Sequence, residues 1–425
     1  MVAAVDLVLR GARVVTPAGE SGALAGPRQG DLVVHDRGAV AVAGGRIVAV
    51  GSEAAVLQAV GTGSATREVQ LEGRLLTPGL VDAHTHPVYA GSRLDDFERR
   101  AKGATYAEIL AAGGGIHETV RHTRAAAVTD LARALEDRLD RFLASGTTTI
   151  EAKSGYGLET GAELAQLEAI SAARHAVNRV PTWLGAHAVP PGLEPEDAID
   201  RLIEESLPAV VAQGIARFAD IFCEHGVYTP GQAERLLRAA ASRGLALKLH
   251  ADELVDTGGA ALAARLGALS ADHLHVAHAE GLAAMAEAGT VAVLLPGTGV
   301  FLGMRDPAPA RLMIGLGVPV AVATDHNPGS CPAVSLPLMM TLAVTQLRLT
   351  PAEAFVAVTA NGAAAVGMGS SLGRLRPGKR ADLVAWELHD WRELAYHFGS
   401  VRVAGAWISG RGVHGSLADA SQVEG

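Results

Sequence analysis

Val81-Asp82-Ala83-His84-Thr85-His86 closes an apolar run that begins at Leu75. Read as one strand, Leu75 to Ala83 sets both imidazoles on one side of its carboxyl end, because side chains alternate faces with period two. Two neutral imidazoles on one side are half of a zinc-type site. With 16 histidines in the chain, roughly 0.6 such pairs arise by chance, and a second pair, His273 and His275, is present. The first pair gains its weight from its setting. Thr77-Pro78-Gly79 precedes it, and another histidine lies far downstream at a similar strand end.

Outward from this stretch, seven more apolar β-like runs recur: Thr147–Glu151, Thr182–Ala186, Phe218–Cys223, Ala246–Leu249, Leu269–Ala271, Val291–Leu295 and Val318–Thr324. Segments with helical spacing lie between most of them, such as Asp130–Leu139 and Gly231–Ala240. Strands alternating with helices imply parallel pairing with both faces covered. Eight is the number that closes a (β/α)8 TIM-type barrel, whose active site lies at the carboxyl ends of the strands. The two chain ends read differently. Asp6–Val15, Leu32–His35, Arg46–Val50, Ala381–Trp386 and Val401–Ile408 are short β-prone runs between turns such as Arg376-Pro377-Gly378-Lys379. The expectation is an α/β fold: residues 76–374 as the barrel, with 1–75 and 375–425 joined in a small β-sandwich domain.

Reactive side chains cluster at the expected strand ends. They are His84 and His86 after strand 1, Lys153-Ser154-Gly155-Tyr156-Gly157 after strand 2, and His187 after strand 3. His250 and Glu253 follow strand 5, Asp272-His273 strand 6, and Asp325-His326-Asn327 strand 8. His84, His86, His250 and Asp325 make an N3O set suited to Zn2+ or Fe2+. Such an ion lowers the pKa of a bound water toward about 7. Glu253 is placed to take the water's proton and pass it to a leaving nitrogen; the competing reading is a helix first-turn acid. His273 is read as polarising a substrate oxygen, and Asp325 is grouped with Glu253 and His273 as catalytic. For Asp325 the competing reading is a helix cap or Asx turn. His275 is read as structural. Strand 4 ends in Cys223-Glu224 without the lysine that dinuclear hydrolases of this architecture often use, and Lys153 stands after strand 2. One metal ion is therefore expected. Gly113-Gly114-Gly115 lacks the Gly-Lys-Ser/Thr ending of a phosphate loop.

Composition excludes several classes. Apolar residues are 49% and charged residues 19%, enough for a large core and against disorder. The net charge of −9, without any Lys/Arg block, disfavours nucleic acid and anionic membranes as partners. Asp6, Arg10 and Arg13 break the apolar pattern of Met1–Val15, which reads as a strand and not a signal segment. No 18-residue apolar run is present. Two cysteines, Cys223 and Cys331, suit a reducing cytoplasm.

Pro78-Gly79-Leu80-Val81-Asp82-Ala83-His84-Thr85-His86 with His250, His273 and Asp325 resembles the amidohydrolase superfamily. Further stretches narrow the resemblance to its imidazolonepropionase branch: Gly91-Ser92-Arg93, Gly113-Gly114-Gly115-Ile116, Lys153–Leu158, Gly185-Ala186-His187, His250–Glu253, Leu295-Pro296-Gly297, Thr324–Ser330 and Glu393–Gly399. The resemblance implies hydrolysis of 4-imidazolone-5-propanoate to N-formimino-L-glutamate, in histidine degradation. It carries metal binding onto His84, His86, His250 and Asp325. It carries substrate contacts onto Arg93, Tyr156, His187, Glu253, Asn327, Gly329 and Ser330, with Arg93 pairing the propionate. A homodimer is plausible for this family. His326 and Pro87 depart from the expected pattern. A mononuclear purine or pyrimidine deaminase is the rival enzyme, and Arg93 with Lys153–Tyr156, read as an anion clamp, argues against it. A catalytically dead binding scaffold is the rival of another class, and the full residue set argues against that.

Overall fold

The computed structural model describes residues 5–60, 66–105, 108 and 113–419. Residues 1–4, 61–65 and 420–425, included in the sequence-based β domain, lie outside it. So do residues 106–107 and 109–112, just before the glycine run.

Eight parallel strands follow one another around a nearly closed barrel: β1 (Leu80–Asp82), β2 (Thr147–Lys153), β3 (Asn178–Ala186), β4 (Phe218–Cys223), β5 (Ala246–Ala251), β6 (Ser270–His273), β7 (Val291–Leu294) and β8 (Val320–Val322). Helices cover the outside. Val128–Ala144 and Pro230–Ala241 extend the two helical segments read from sequence, and the second starts on a capping box from Thr229 and Gln232. β1 and β8 meet only at their carboxyl ends. Thr324 donates its N–H and hydroxyl to the Asp82 carboxylate at 3.0 and 2.6 Å. Asp325 N then donates to His84 O, and His86 N to His326 O. Barrel closure thus fixes the backbone on either side of the histidine pair.

One expectation needs correction. The apolar run from Leu75 is not a single strand. Leu75–Pro78 belongs to a separate sheet, antiparallel to Leu383–Trp386 and parallel to Leu7–Pro17. The chain crosses into the barrel at Gly79, where a Cβ would stand 2.1 Å from Thr148 Oγ1, so a side chain has no room. The period-two argument survives because His84-Thr85-His86 stays extended, with Thr85 bridged to His326.

The separate sheet runs, in spatial order, Arg411–His414, Val403–Ile408, Leu383–Trp386, Leu75–Pro78, Leu7–Pro17, Leu32–Ala43 and Arg46–Ser52, with Arg67–Gln70 also paired to Leu7–Pro17. Both chain ends build it. Alternation divides its faces. Leu7, Leu9, Val40, Val42, Leu383, Ala385 and Trp407 share one interior, whereas Val384, Trp386 and Ala406 pack into the barrel's core. Trp386 sits at the join and donates from Nε1 to Thr77 Oγ1. Gly146, at φ +85°, faces this indole, and a Cβ there would come within 2.2 Å of it. Gly146→Ala is expected to cost about 2–4 kcal/mol, from left-handed strain plus overpacking. Chemical denaturation would read this as a lower midpoint at unchanged m-value.

Candidate active site

The expected donors converge at the carboxyl ends of the barrel strands. His84 Nε2 and His86 Nε2 are 3.2 Å apart, and His86 Nε2 and His250 Nε2 are 3.4 Å apart. Asp325 Oδ1 lies 3.5 Å from the Nε2 of both His84 and His86. Two ligands bound about 2.1 Å from one tetrahedral ion stand about 3.4 Å from each other, so these four separations are those of neighbouring ligands, with His84, His86 and Asp325 forming one close donor group and His250 joined to it through His86. Their chemistry fits as well. His84 Nδ1 meets Asp272 Oδ2 at 2.6 Å, and His250 Nδ1 meets Asp220 Oδ2 at 2.9 Å. At His84 the hydrogen-bonded carboxylate selects the tautomer with the proton on Nδ1 and the lone pair on Nε2, and at His250 the nearby Asp220 charge favours the same tautomer. The Nε2 of His84 thus turns a lone pair toward His86 Nε2, and His86 Nδ1 has no hydrogen-bond partner that would hold the His86 proton away from this cluster. Burial, then the Lys153 charge, holds His84 far below its ordinary pKa; burial and His187 do the same for His86. Both rings are therefore neutral, as ligands must be.

Asp325 neither caps a helix nor forms the Asx turn. It adopts φ +53° and accepts from Thr298 Oγ1 at 2.6 Å, while burial pushes its carboxyl up to about 6. The turn belongs to Asn327. Its Oδ1 accepts from Gly329 N and Ser330 N, and its Nδ2 donates to Asp325 O and Ser330 Oγ. That side chain is saturated by its own loop.

Glu253 stands in a loop, not in a helix first turn; Asp252 caps the following helix through Gly259 N and Ala260 N. The buried Glu224 carboxylate accepts from Leu254 N and Val255 N and so pins the loop. Glu253 Oε1 is 3.4 Å from His273 Nδ1. Burial, with Asp325 and Glu224 nearby, pushes the Glu253 carboxyl up to about 8. His273 is at φ +75°, and its ring centre lies 5.2 Å from that of His250 and 5.4 Å from that of His84. It forms a second, overlapping donor group with His84 and His250.

A half-ring of side chains continues from the metal-type cluster. His187 stacks on His86 at 4.9 Å and 16°, and Tyr156 lies against His187 and Tyr89. Burial, with His250 nearby, takes His187 down to about 3. Glu163 accepts from the N–H groups of Gly155, Gly157 and Leu158, and Gln166 from that of Tyr156. Arg93 is nearly enclosed and paired with Asp96, which also accepts from Gly115 N. Arg93 Nη1 comes within 3.2 Å of where a Cβ on Gly329 would stand, so this glycine gives the guanidinium room.

The structure corrects the reading of Lys153. It lies inside β2, has no exposure, and pairs with Glu151 and Asp220, so it is not free to clamp a ligand anion. Sequence reasoning also passed over Asp220, Glu151, Lys248 and Thr298. Most carried a signal, since they fill alternate, inward positions of apolar strands. His326 points its ring to the barrel wall against Phe142 and reaches Ala333 O with Nδ1, away from the donors. His275 stands against Gly299, apart from the cluster.

Comparisons with known proteins bear on the family and the fold. The amidohydrolase family model matches residues 75–413. An imidazolonepropionase of Symbiobacterium thermophilum is 50% identical over 96% of this chain and 97% of that protein. One of Geobacillus kaustophilus is 48% identical over 92% and 94%. Among solved structures, an adenosine deaminase of Xanthomonas campestris with bound zinc superposes at a TM-score of 0.66 over 98% of this chain and 95% of that one. At 20% identity, it speaks for the fold alone.

Proposed function

The chain belongs to the amidohydrolase family, and on that premise we propose that it hydrolyses 4-imidazolone-5-propanoate to N-formimino-L-glutamate, a step of histidine degradation. The observation that carries the chemistry is the convergence of three imidazole Nε2 atoms and one aspartate oxygen, with a largely enclosed glutamate in the adjoining loop. His84, His86, His250 and Asp325 would hold one divalent ion, Zn2+ or Fe2+. Such an ion supplies Lewis acidity, which acidifies water and polarises an amide carbonyl.

The chain's own residues do the rest. A water oxygen bonds to the ring carbonyl carbon, and Glu253 takes its proton. The carbon–nitrogen bond then breaks, and Glu253 returns the proton to the leaving nitrogen. His273, beside Glu253, donates toward the carbonyl oxygen as charge gathers there, and Asp325 orients the attacking water. Arg93 pairs the propionate. Tyr156 and His187 line the ring's berth, and the turn formed by Asn327, Gly329 and Ser330 borders it on the side of Arg93. We place the protein in the cytoplasm, acting on a small molecule as a homodimer without nucleic acid or membrane partners. We divide it much as the sequence suggested, into a barrel and a composite domain of both chain ends, but with the first boundary moved from 75/76 to Gly79, because Leu75–Pro78 pairs in the separate sheet; the second stays at 374/375.

The test is an assay with freshly prepared imidazolonepropanoate. The expected product is N-formimino-L-glutamate; ammonia released from guanine or cytosine, with no ring opening of the propanoate, would make the protein a deaminase. Arg93→Ala is expected to raise KM about 10- to 100-fold with a smaller change in kcat, the loss of one charge-assisted pair. Unchanged KM would place Arg93 outside the substrate's reach.

A further inference from the structure

Beside the Nε2 cluster lies a set of charges that the proposed reaction does not use. Glu151 and Lys153 on β2, Asp220 on β4, Lys248 on β5 and Asp272 on β6 all have no exposure. Lys153 Nζ is 2.6 Å from Asp220 Oδ2, 2.9 Å from Glu151 Oε2 and 3.7 Å from Asp272 Oδ2. Lys248 Nζ is 3.1 Å from Glu151 Oε2 and 3.5 Å from Asp272 Oδ2, and donates to Ala83 O at 2.8 Å. The carboxylate oxygens held by the ammonium groups are the same two that meet the rings: Asp220 Oδ2 at His250 and Asp272 Oδ2 at His84.

Five charges enclosed together are a poor device for stability, since apolar side chains of similar volume fill such space at less cost. Their geometry serves direction instead. An imidazole on a strand end can turn about its bonds, and a carboxylate at Nδ1 stops it only if that carboxylate is itself fixed.

We propose that Lys153 and Lys248 are positioning residues for the cation site. They hold Asp220 beside the Nδ1 atom of His250 and Asp272 in hydrogen bond with that of His84, and so aim both Nε2 donors. Their ammonium groups also occupy the acid-rich space around Glu151 and Asp272, whose oxygens, with His84, come within 4.8 Å of one another. This rests on the reading of the four donors as an ion site. Removing an ammonium relieves some repulsion of a divalent ion while loosening its ligands. Loosening is expected to outweigh this relief: the Lys153 charge is felt at His84, but the nearest charged partners of each ammonium are carboxylates that offset it.

The experiment is zinc titration of ion-stripped protein against a competing chelator. Lys153→Met is expected to weaken zinc binding about 10- to 100-fold with one ion still bound at saturation. Asp220→Asn should weaken it similarly, and the double variant should add little, because both act through one carboxylate. Unchanged affinity in Lys153→Met, or losses that add in the double variant, overturns the proposal. Lys248→Met with Asp272→Asn runs the same cycle from the other side, and decides the matter if Lys153→Met does not fold. If the parent protein binds no zinc at all, the ion-site reading itself falls, and this proposal with it.

Discussion

Glu253→Gln is expected to keep its ion and lose about 10²- to 10⁴-fold in kcat, the usual worth of a positioned acid–base group. The carboxyl stands in a pinned loop beside His273, and the amide that replaces it has nearly the same shape but cannot take a proton. The pH dependence gives a second readout. Glu253 must be ionised to accept from water, and its carboxyl is pushed up to about 8 by burial, Asp325 and Glu224. The rate should therefore rise with pH through the titration of this group, at or below that value once a cation offsets Asp325. The variant should lose this limb. Stability moves in the opposite sense. A carboxyl that holds its proton longer in the folded than in the unfolded chain makes stability fall as pH rises from the ordinary glutamate range to about 8. Ion-free Glu253→Gln should accordingly unfold at a higher temperature than the ion-free parent at alkaline pH. An unchanged kcat would remove Glu253 from the chemistry.

His250→Ala is expected to weaken ion binding by more than about 100-fold, a larger loss than for partners behind the ligands, and to take activity down with ion content. His250 is the one imidazole donor on β5, 3.4 Å from His86, and its loss leaves three donors. Asp220 keeps Lys153 at 2.6 Å, so its charge stays paired and the barrel should still form. Chelation of the parent should reproduce the effect, and added Zn2+ or Fe2+ should reverse it. Full activity in an ion-free variant would disconnect the cluster from catalysis.

Much of this was legible in the chain. The eight apolar runs and the reactive residues ending them gave the barrel and its working face, because parallel strands buried on both faces cannot hide their composition. His84, His86, His250 and Asp325 could be grouped only through that fold, since more than 200 residues separate the first from the last. The split at Gly79 was hidden, because an apolar run does not record which sheet each half joins. The pairing of Lys153 and Asp272, both visible at strand ends, with Lys248 and Asp220 was hidden for another reason. Isolated charges in apolar strands gain meaning only when the closed barrel brings their alternate positions face to face. Asn327 shows the reverse case, where a residue beside the donors spends its whole amide on shaping its own turn.

The most direct test of the central claim is stepwise return of Zn2+ to ion-stripped protein while imidazolonepropanoate turnover is followed. Activity should climb in proportion to bound ion and stop at one ion per chain, with His84, His86, His250 and Asp325 each needed for retention. Turnover that is complete before any ion is added, or that needs none of these four side chains, would contradict it.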